Sequence, residues 1–368
     1  MTTPPHPITP PLSRDEIFSA LRLLRSRRVG PATYFRLVAE YGTASAALQA
    51  LPDIARGAGV DGYAICPEGV IAAELKAGER FGAQLVAYGA PGYPQPLRDI
   101  EDAPPLIWTK GRLEILDRPM VAVVGARNAS SLGLRMTKAL AGGLAEAGFV
   151  VVSGLARGVD AEAHKAALRS GTLAVLAGGV DVAYPGENAD LLKQIPETGL
   201  CFSEQPMGLQ PMARHFPRRN RLVSGVAQAV IVVEAAADSG SLITARMALD
   251  QGRDVMAVPG HPFDSRASGC NMLIRDGATL VRSAADVIEA LGGQSRPERQ
   301  RPSLVPVQKR PDGIGARIVA RLSVSPVAED QLIRDLDAPA DLAGAELTQL
   351  ELDGTIIRHA GGLLALAC

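Results

Sequence analysis

The stretch 118–130, RPMVAVVGARNAS, decides the fold of this chain. It holds an unbroken run of apolar residues, followed at once by glycine and small polar residues. Runs of this kind recur and alternate with helical stretches, at 120–124, 149–152, 173–176, 230–233 and 255–258. Continuous apolar runs separated by helices are typical of a parallel sheet that is buried on both faces. We therefore predict an α/β fold with a doubly wound, mostly parallel sheet.

Outside this sheet the chain divides into smaller parts. The segment at 93–111 is rich in proline, and we expect it to be an irregular bridge. The predicted organisation, in chain order, is a disordered tail at 1–12, a small helical domain at 13–85, the Rossmann-like sheet domain at 86–292, a linker at 293–311 and a third domain at 312–368. The proline-rich tail lacks the basic and apolar regions of a signal peptide.

The predicted helical domain contains a break at 28–31, which reads RVGP. Glycine and proline at this point end one helix and allow the next to begin. Arg25, Arg27 and Arg28 make the turn basic. Two interpretations stay open: a helix-hairpin-helix module whose backbone N–H groups reach phosphate, or a packed helical pair with no ligand.

The last domain shows three helical patterns and then a hairpin about Gly361 and Gly362, which together predict a winged helix. Acidic residues dominate its second and third helices, with Glu329, Asp330, Asp335, Asp337, Asp341, Glu346 and Glu351 against Arg334. A recognition helix with this charge would repel phosphate. We expect a protein-interaction or regulatory role for this domain.

Composition narrows the class of protein. The chain has 38 Lys+Arg against 39 Asp+Glu, so any basic surface must be local. Its cysteines, Cys66, Cys201, Cys270 and Cys368, lie far apart without a CxxC pair, which argues against a disulfide framework or a zinc site and fits a reducing cytoplasm. No apolar run is long enough to cross a membrane.

Residues that follow the predicted strands are the first candidates for a site, because ligands bind beyond the carboxyl ends of strands in such a sheet. Small and polar residues gather there: Gly125, Arg127 and Ser130, then Ser153, Gly154, Arg157 and Gly158, and later Ser239 and Gly240. Small residues at helix N-termini leave N–H groups free to bind anions. We predict a site for a phosphorylated ligand.

The stretch 214–224, RHFPRRNRLVS, adds a basic and aromatic cluster. Its candidate ligand-binding residues are Arg214, Phe216, Arg218, Arg219, Asn220 and Arg221. Guanidinium groups fork onto phosphate oxygens and stack on bases, and an aromatic ring offers a face to an unpaired base. The alternative is a solvated basic loop or an internal ion-pair network.

Known nucleotide motifs are missing. The first strand ends in GARNAS rather than GxGxxG, and GxxxxGK[ST] does not occur, so we expect no NAD, ATP or other cofactor. Asp160 and His164 lie one helical turn apart near Ser153, which would suit a triad or a metal site. The alternative is that Asp160 caps its helix and His164 packs under the strand-end loops.

Taken together, the motifs resemble the bacterial DNA processing protein A (DprA) family. Those that carry the likeness are GARNASSLG, SGLARGVDAEAHKAAL, LAGGVDVAYPGEN, SEQPMG, FPRRNRLVSG, VVEAAADSGSLITARMALDQGRDVMAVPG and GCNMLIRDGA. The resemblance covers about residues 93–291 in order and register. By position, the family's GxR motif falls on Gly125 and Arg127, SGxAxGxD on 153–160, and FPxRNR on 216–221.

The chain departs from the family pattern at two places. Arg214 and His215 stand where many relatives have lysine, and Ala177 stands where glycine is expected. The first change would keep the basic contact by means of arginine. The second leaves the fine geometry of that loop open.

The resemblance implies a cytoplasmic homodimer with no established catalytic activity. It would bind and protect single-stranded DNA and help to load the RecA recombinase onto it in natural transformation. The phosphates would meet Arg127, Arg219, Arg221 and the backbone N–H groups near 153–158 and Gly240, with Phe216 against a base. The alternative is a hydrolase of nucleotide phosphates of the phosphoribohydrolase type, although VEAAADSGSLIT stands here in place of the PGGxGTxxE segment of those enzymes.

Overall fold

The computed structural model describes residue 6 and residues 13–292, 313–322, 326–336 and 338–367. The chain forms two compact units, Met1–Ser295 and Arg296–Cys368. The predicted linker at 293–311 lies outside the described residues, and so does the predicted tail at 1–12 except for His6.

The first unit contains helices and strands in alternation. Its helices are α1 (Arg14–Arg25), α2 (Pro31–Tyr41), α3 (Ala44–Gly57), α4 (Glu68–Phe81), α5 (Ser131–Glu146), α6 (Val159–Ala167), α7 (Ala189–Thr198), α8 (His215–Val226), α9 (Gly240–Asp250), α10 (Ser268–Arg275) and α11 (Ala284–Ala290). Its strands are β1 (Gln84–Ala87), β2 (Leu106–Gly111), β3 (Met120–Gly125), β4 (Val150–Ser153), β5 (Thr172–Val175), β6 (Leu200–Ser203), β7 (Ala229–Val233), β8 (Asp254–Ala257) and β9 (Thr279–Leu280).

The strands of this unit form one sheet in the order β1-β2-β6-β5-β4-β3-β7-β8-β9. From β6 to β9 the ladders are parallel, whereas β1 and β2 add an antiparallel edge. The strand order reverses at β3, with β4 on one side and β7 on the other. The predicted doubly wound, mostly parallel sheet is confirmed. Its switch point, where such sheets open a crevice for ligands, lies between β3 and β7.

The packing of strand β3 explains why its sequence has no polar residues. Met120, Ala122 and Val124 pack into the core on one face of the sheet. Val121 and Val123 pack into a second core on the other face. Side chains of a strand alternate between faces, so a strand covered by helices on both sides is apolar throughout.

The prediction of an irregular bridge at 93–111 is wrong for its last 6 residues. Leu106–Gly111 is strand β2, which pairs with both β1 and β6. Pro104 and Pro105 stand just before the strand, where their missing N–H groups remove no ladder hydrogen bond. The prolines of this segment therefore led to a wrong prediction, because they precede the strand and do not lie within it.

The helical part of the first unit is anchored to the sheet by a buried polar chain. Arg25 of α1 donates to both carboxylate oxygens of Glu74 in α4, at 2.8 and 3.0 Å. The same carboxylate accepts the indole N–H of Trp108 in β2 at 2.8 Å. The break predicted at 28–31 is confirmed, because α1 ends at Arg25 and α2 begins with Pro31.

The second unit is a small winged helix, as predicted. It contains α12 (Ile314–Arg321), β10 (Val327–Ala328), α13 (Glu329–Leu336), α14 (Ala340–Leu352), β11 (Ile356–His359) and β12 (Leu363–Leu366). Arg358 of the hairpin forms ion pairs with Glu329 and Glu351, which neutralises part of the acidic surface. Asp337 lies outside the described residues.

Candidate functional site

Two adjoining clefts open at the carboxyl ends of the central strands. One has a volume of about 530 Å³ and the other about 790 Å³. They share a wall formed by Arg127, Gly154, Phe216 and Arg219. We call these two clefts together the rim site. It brings together residues from the loops after β3 and β4 with residues of α8, although these segments are far apart in the chain.

An arginine and two aromatic rings form the exposed part of the rim site. The guanidinium of Arg127 lies over the ring of Phe216, with its Cζ 5.1 Å from the ring centroid. The ring of Tyr184 lies on Phe216 with centroids 5.6 Å apart, and Tyr184 is 47% exposed. Arg157 stands at the mouth, where it pairs with Glu187 at 2.9 Å. Positive charge next to accessible aromatic faces suits an unpaired nucleotide strand.

Arg219 forms the floor of the rim site rather than its surface. It is only 6% exposed, and its Nη1 donates to the carbonyl of Val175 at 2.8 Å. Gly154 lies so close to the guanidinium that a Cβ at that position would overlap it. Only part of this guanidinium could therefore face a phosphate in the cleft. Arg219 acts first as a buried positive charge beneath the loop.

Asp160 provides the opposite charge beneath the same loop. Its carboxylate accepts the N–H groups of Gly154 at 3.1 Å and Ala156 at 3.4 Å. Burial raises the pKa of Asp160, while the charge of Arg219 and these N–H groups lower it. The expectation that N–H groups near 153–158 face phosphate is wrong for these two, because Asp160 already accepts them. Asp160 also does not cap its own helix.

The remaining residues of the loop after β4 support its shape. Ser153 is fully buried and its hydroxyl donates to the Val123 carbonyl at 2.6 Å, so it does not reach the rim site. Gly158 has φ of 72° and packs against the carbonyls of Ala126 and Arg127, which leaves no space for a Cβ. This contact fixes the backbone that carries the exposed Arg127.

The N-terminus of α5 is occupied by a carboxylate of the protein itself. Glu234 accepts the backbone N–H of Ser130 at 2.8 Å and also the Ser130 hydroxyl. Ser130 in turn caps the helix by accepting the N–H of Gly133 at 3.0 Å. Glu234 holds this position with φ of 51°, a left-handed conformation that is rare for residues other than glycine. The expectation that Ser130 binds the ligand is corrected, because Glu234 takes the place of an anion there.

The N-terminus of α9 differs from that of α5, because no acidic side chain of the described residues caps it. Ser239 caps the helix by accepting the N–H of Ser241, and Gly240 is exposed. The Ser241 hydroxyl donates to the Gly125 carbonyl at 2.8 Å, which joins α9 to the end of β3. Gly125 itself packs against the Val233 carbonyl without room for a Cβ. Ser239 and Gly240 thus line the rim site at the switch point.

Helix α8 carries the FPRRNR sequence and has two different sides. Phe216, Arg219 and Asn220 line the rim site. Arg214, Arg218 and Arg221 line a separate cleft on the other side of the helix. Arg221 is 7% exposed and forms ion pairs with Asp102 and Glu204. Its placement in the rim site was therefore wrong, and the internal ion-pair network describes this residue.

His164 is buried beside the first residue of β5. It is fully enclosed, and its Nδ1 lies 2.8 Å from the Thr172 hydroxyl. Burial, together with the charge of Arg219, lowers the pKa of His164 to about 3. Of the two interpretations left open for His164, the structure favours a buried packing residue over a member of a triad. The part of the chain that the structure describes contains no group of three or more His, Cys, Asp or Glu side chains able to hold a metal ion.

The neutral His164 predicts a specific dependence of stability on pH. A histidine whose pKa falls from 6.5 to about 3 on folding stabilises the fold above pH 6.5 and loses that contribution as the pH falls. The free energy of unfolding should decline by about 1.4 kcal/mol per pH unit in this window. Urea unfolding at several pH values would show this slope, and His164→Leu should remove it. An unchanged slope in the variant would contradict the assignment.

Some residues of the rim site were not among the predicted site residues. Asn128, Tyr184 and Arg266 line it, and the ring of Tyr184 lies tilted against that of Phe216. Tyr184 follows the third predicted strand, where a scarce aromatic next to proline was the available signal. Arg266 lies in a short 3-10 helix, 45 residues beyond Arg221 in the sequence, and its neighbours in the sequence gave no indication of the site.

The fold and the rim site define a class: a Rossmann-like protein with flanking helix-hairpin-helix and winged-helix parts. Three protein families match the chain in order: "DNA recombination-mediator protein A" at residues 84–292, "DprA-like N-terminal HHH domain" at 14–77 and "DprA winged helix domain" at 302–362. The chain belongs to the DprA family. This confirms the resemblance inferred from its motifs.

Individual relatives agree with this assignment. DNA processing protein DprA of Streptococcus pneumoniae is 47% identical over 198 residues, which are 53% of this chain and 70% of the relative. Protein Smf of a Synechocystis species is 34% identical over 322 residues, which are 78% of this chain and 81% of the relative.

Solved structures of the family share the fold. The X-ray structure of DprA from Streptococcus pneumoniae has a TM-score of 0.65 at 36% identity and covers 76% of this chain and 98% of its own. A structure of DNA processing protein A from Helicobacter pylori, determined for its single-stranded DNA binding mode, has a TM-score of 0.53 at 29% identity, with 57% and 95% covered. No helix among the described residues is long and apolar enough to cross a membrane.

Proposed function

We propose that this protein binds single-stranded DNA at the rim site. The observation that carries the proposal is the exposed Arg127 lying over Phe216 at the carboxyl ends of the strands. Arg127 would meet phosphate oxygens, while Phe216 and Tyr184 would pack against bases or sugars. The Helicobacter pylori relative, which binds single-stranded DNA, supports the same ligand for this chain.

The arrangement favours binding of a DNA single strand without preference for its base sequence. Every base has an aromatic face, so stacking on Phe216 and Tyr184 discriminates little among bases. Phosphate contacts carry no sequence information either. The exposed N-terminus of α9 at Gly240 would add backbone N–H groups for a phosphate near the switch point.

The proposed cellular role goes beyond binding. We propose that the protein acts in the cytoplasm, protects single strands and helps to load the RecA recombinase onto them, as in natural transformation. Membership of a recombination-mediator family supports this role. We also propose that it works as a homodimer. The edge strand β9, which carries the exposed Leu280, supports the dimer because an unpaired sheet edge is a surface that a second copy can cover.

A hydrolase of nucleotide phosphates was the alternative function. Rossmann-like folds commonly hold phosphate at the N-terminus of the helix that follows the first strand of the domain. Here Glu234 fills the N-terminus of α5 through Ser130. A bound nucleotide phosphate would have to displace this carboxylate, and we therefore prefer the binding function.

The proposal predicts a preference for single strands over duplexes. Bases in a duplex are stacked and cannot reach Phe216 and Tyr184, so duplex competitor should bind at least about tenfold more weakly than single strand. Competition against a labelled oligo-dT, followed by fluorescence anisotropy, would measure the ratio. Equal affinity for a duplex of the same length would refute the use of the aromatic wall.

A further inference from the structure

The start of α5 holds an anion that belongs to the protein itself. Rossmann-like sheets often place a phosphate at the N-terminus of the helix that follows the first strand. Here that place is taken by the carboxylate of Glu234, the first residue after β7. The carboxylate accepts the backbone N–H of Ser130 at 2.8 Å and also the Ser130 hydroxyl. A phosphate oxygen cannot reach these two donors while the carboxylate holds them.

The space at the start of α5 fits this carboxylate closely. Gly133 lies in the first turn of α5, and a Cβ there would overlap the carboxyl group of Glu234. The backbone N–H of Gly133 is donated to the Ser130 hydroxyl at 3.0 Å, so serine, glycine and glutamate form one connected group. The glycine therefore leaves the room that the carboxylate fills.

Glu234 holds this position in an unfavourable backbone conformation. Its φ of 51° lies in the left-handed region, which residues other than glycine rarely adopt. Glycine would suit the turn after β7 better if this residue only had to continue the chain. Strain of this kind is typical of functional sites, and it indicates that the side chain has a role of its own.

The filled helix start adjoins the rim site. Arg127 and Asn128, which line the rim site, come three and two residues before Ser130 in the same loop. Arg266 also lines the rim site, and its pKa is raised first by Asp264 and then, more weakly, by the charge of Glu234. An open start of α5 would therefore add a place for phosphate at the edge of the rim site.

We propose that Glu234 determines the ligand specificity of the rim site, because its carboxylate closes the start of α5 to pyrophosphate and to the phosphates of free nucleotides. A single strand does not need this place, since its linked phosphates can contact Arg127 and the start of α9 together. A free nucleotide has no such linked contacts and depends on one tight phosphate site. The inference rests on the proposed function and adds which ligands the site rejects.

Glu234→Gly tests the proposal by opening the start of α5. Glycine adopts a φ of 51° without strain, which offsets part of the lost hydrogen bonding, so the variant should remain folded. Glu234→Asn is a second opening variant, because asparagine is short and tolerates the left-handed region. Glu234→Gln keeps the size of the side chain and still fills the space. Asp238→Gly is the matched charge control, because Asp238 is exposed and lies in the same loop after β7.

The measurement is isothermal titration calorimetry with inorganic pyrophosphate, after thermal unfolding has shown that each variant is folded. Glu234→Gly should bind pyrophosphate at least about tenfold more tightly than the wild type, because the anion gains the N–H and hydroxyl of Ser130 as donors. Glu234→Asn should gain affinity in the same direction. Glu234→Gln and Asp238→Gly should stay within about threefold of the wild type. Binding of a labelled oligo-dT by the wild type is measured in parallel.

The outcomes separate the inference from the proposed function. If folded Glu234→Gly and Glu234→Asn bind pyrophosphate no more tightly than the wild type, the inference is overturned, while the rim site stands. If Asp238→Gly or Glu234→Gln gains as much affinity as Glu234→Gly, a change in total charge explains the effect and the inference again fails. If the folded wild type binds no oligo-dT, the proposed function is wrong, and the specificity assigned to Glu234 falls with it.

Discussion

Arg219→Ala should lower the free energy of unfolding by about 3–5 kcal/mol, because it leaves the buried carboxylate of Asp160 without the positive charge that compensates it. Arg219 and Asp160 are only 6% and 7% exposed, so little water reaches either group in the folded protein. The variant also frees the Val175 carbonyl from its donor. The change can be measured by urea unfolding of the full chain, from the unfolding transition of the first unit.

The adjacent residue provides a matched control. Arg218 is exposed and has no ion pair among the described residues, so Arg218→Ala should change stability by no more than about 0.5 kcal/mol. Arg219→Met, which keeps most of the side-chain volume, should be nearly as unstable as Arg219→Ala at neutral pH. A stable Arg219→Met would show that the smaller volume, rather than the missing charge, causes the effect.

The same variant has a predictable dependence on pH. Burial raises the pKa of Asp160, and Arg219 opposes that rise, so without Arg219 the pKa rises further. A carboxyl with a raised folded pKa stabilises the fold at low pH and loses this contribution as the pH rises through that pKa. The difference between wild type and Arg219→Ala should therefore shrink from about pH 7 to about pH 4. A constant difference would exclude Asp160 as the cause.

Arg127→Ala should weaken single-strand binding about tenfold to a hundredfold, because a hydrogen bond to a charged group contributes about 1.5–3 kcal/mol. Arg127 is exposed and makes its described contact with Phe216, so its loss should leave stability nearly unchanged. Arg127→Lys keeps the positive charge but loses the planar guanidinium that can bind two phosphate oxygens at once. Its affinity for single strands should lie between that of the wild type and that of Arg127→Ala.

The pair of Arg127 and Phe216 can be examined by a double-mutant cycle. If the guanidinium is held over the ring, the effects of Arg127→Ala and Phe216→Leu on binding should not add. Arg14→Ala removes the same charge from α1 at a position 89% exposed, outside the rim site, and should bind normally. A loss of affinity in Arg14→Ala equal to that in Arg127→Ala would mean that only total charge matters.

The central sheet was predictable because its strands are covered on both faces. Burial on both sides makes β3 and β7 wholly apolar and leaves β4, β5 and β8 with one polar residue each, at an end of the strand. Two of the strands that were missed, β1 and β9, lie at the edges of the sheet, and β9 has only two residues. Strand β2 was hidden by the prolines that precede it.

The chemistry of the ligand could be predicted from the residue types, whereas the positions of the side chains could not. The residue types in FPRRNR indicated phosphate and base contacts, but not that α8 would turn Arg219 inward and Arg221 to the other side. Which side of a helix a residue faces depends on the elements packed around it. Likewise, Glu234 and Ser130 lie 104 positions apart, and only the sheet brings the carboxylate to the start of α5.

The most direct test of the central claim is the affinity of the wild type and Arg127→Ala for a labelled oligo-dT across a salt series. We expect tight binding by the wild type, with log K falling linearly by about 0.7 per neutralised phosphate against log salt. Arg127→Ala should bind more weakly and with a shallower slope. Equal curves for the two proteins, or no binding by a folded wild type, would contradict a DNA site at the rim of this sheet.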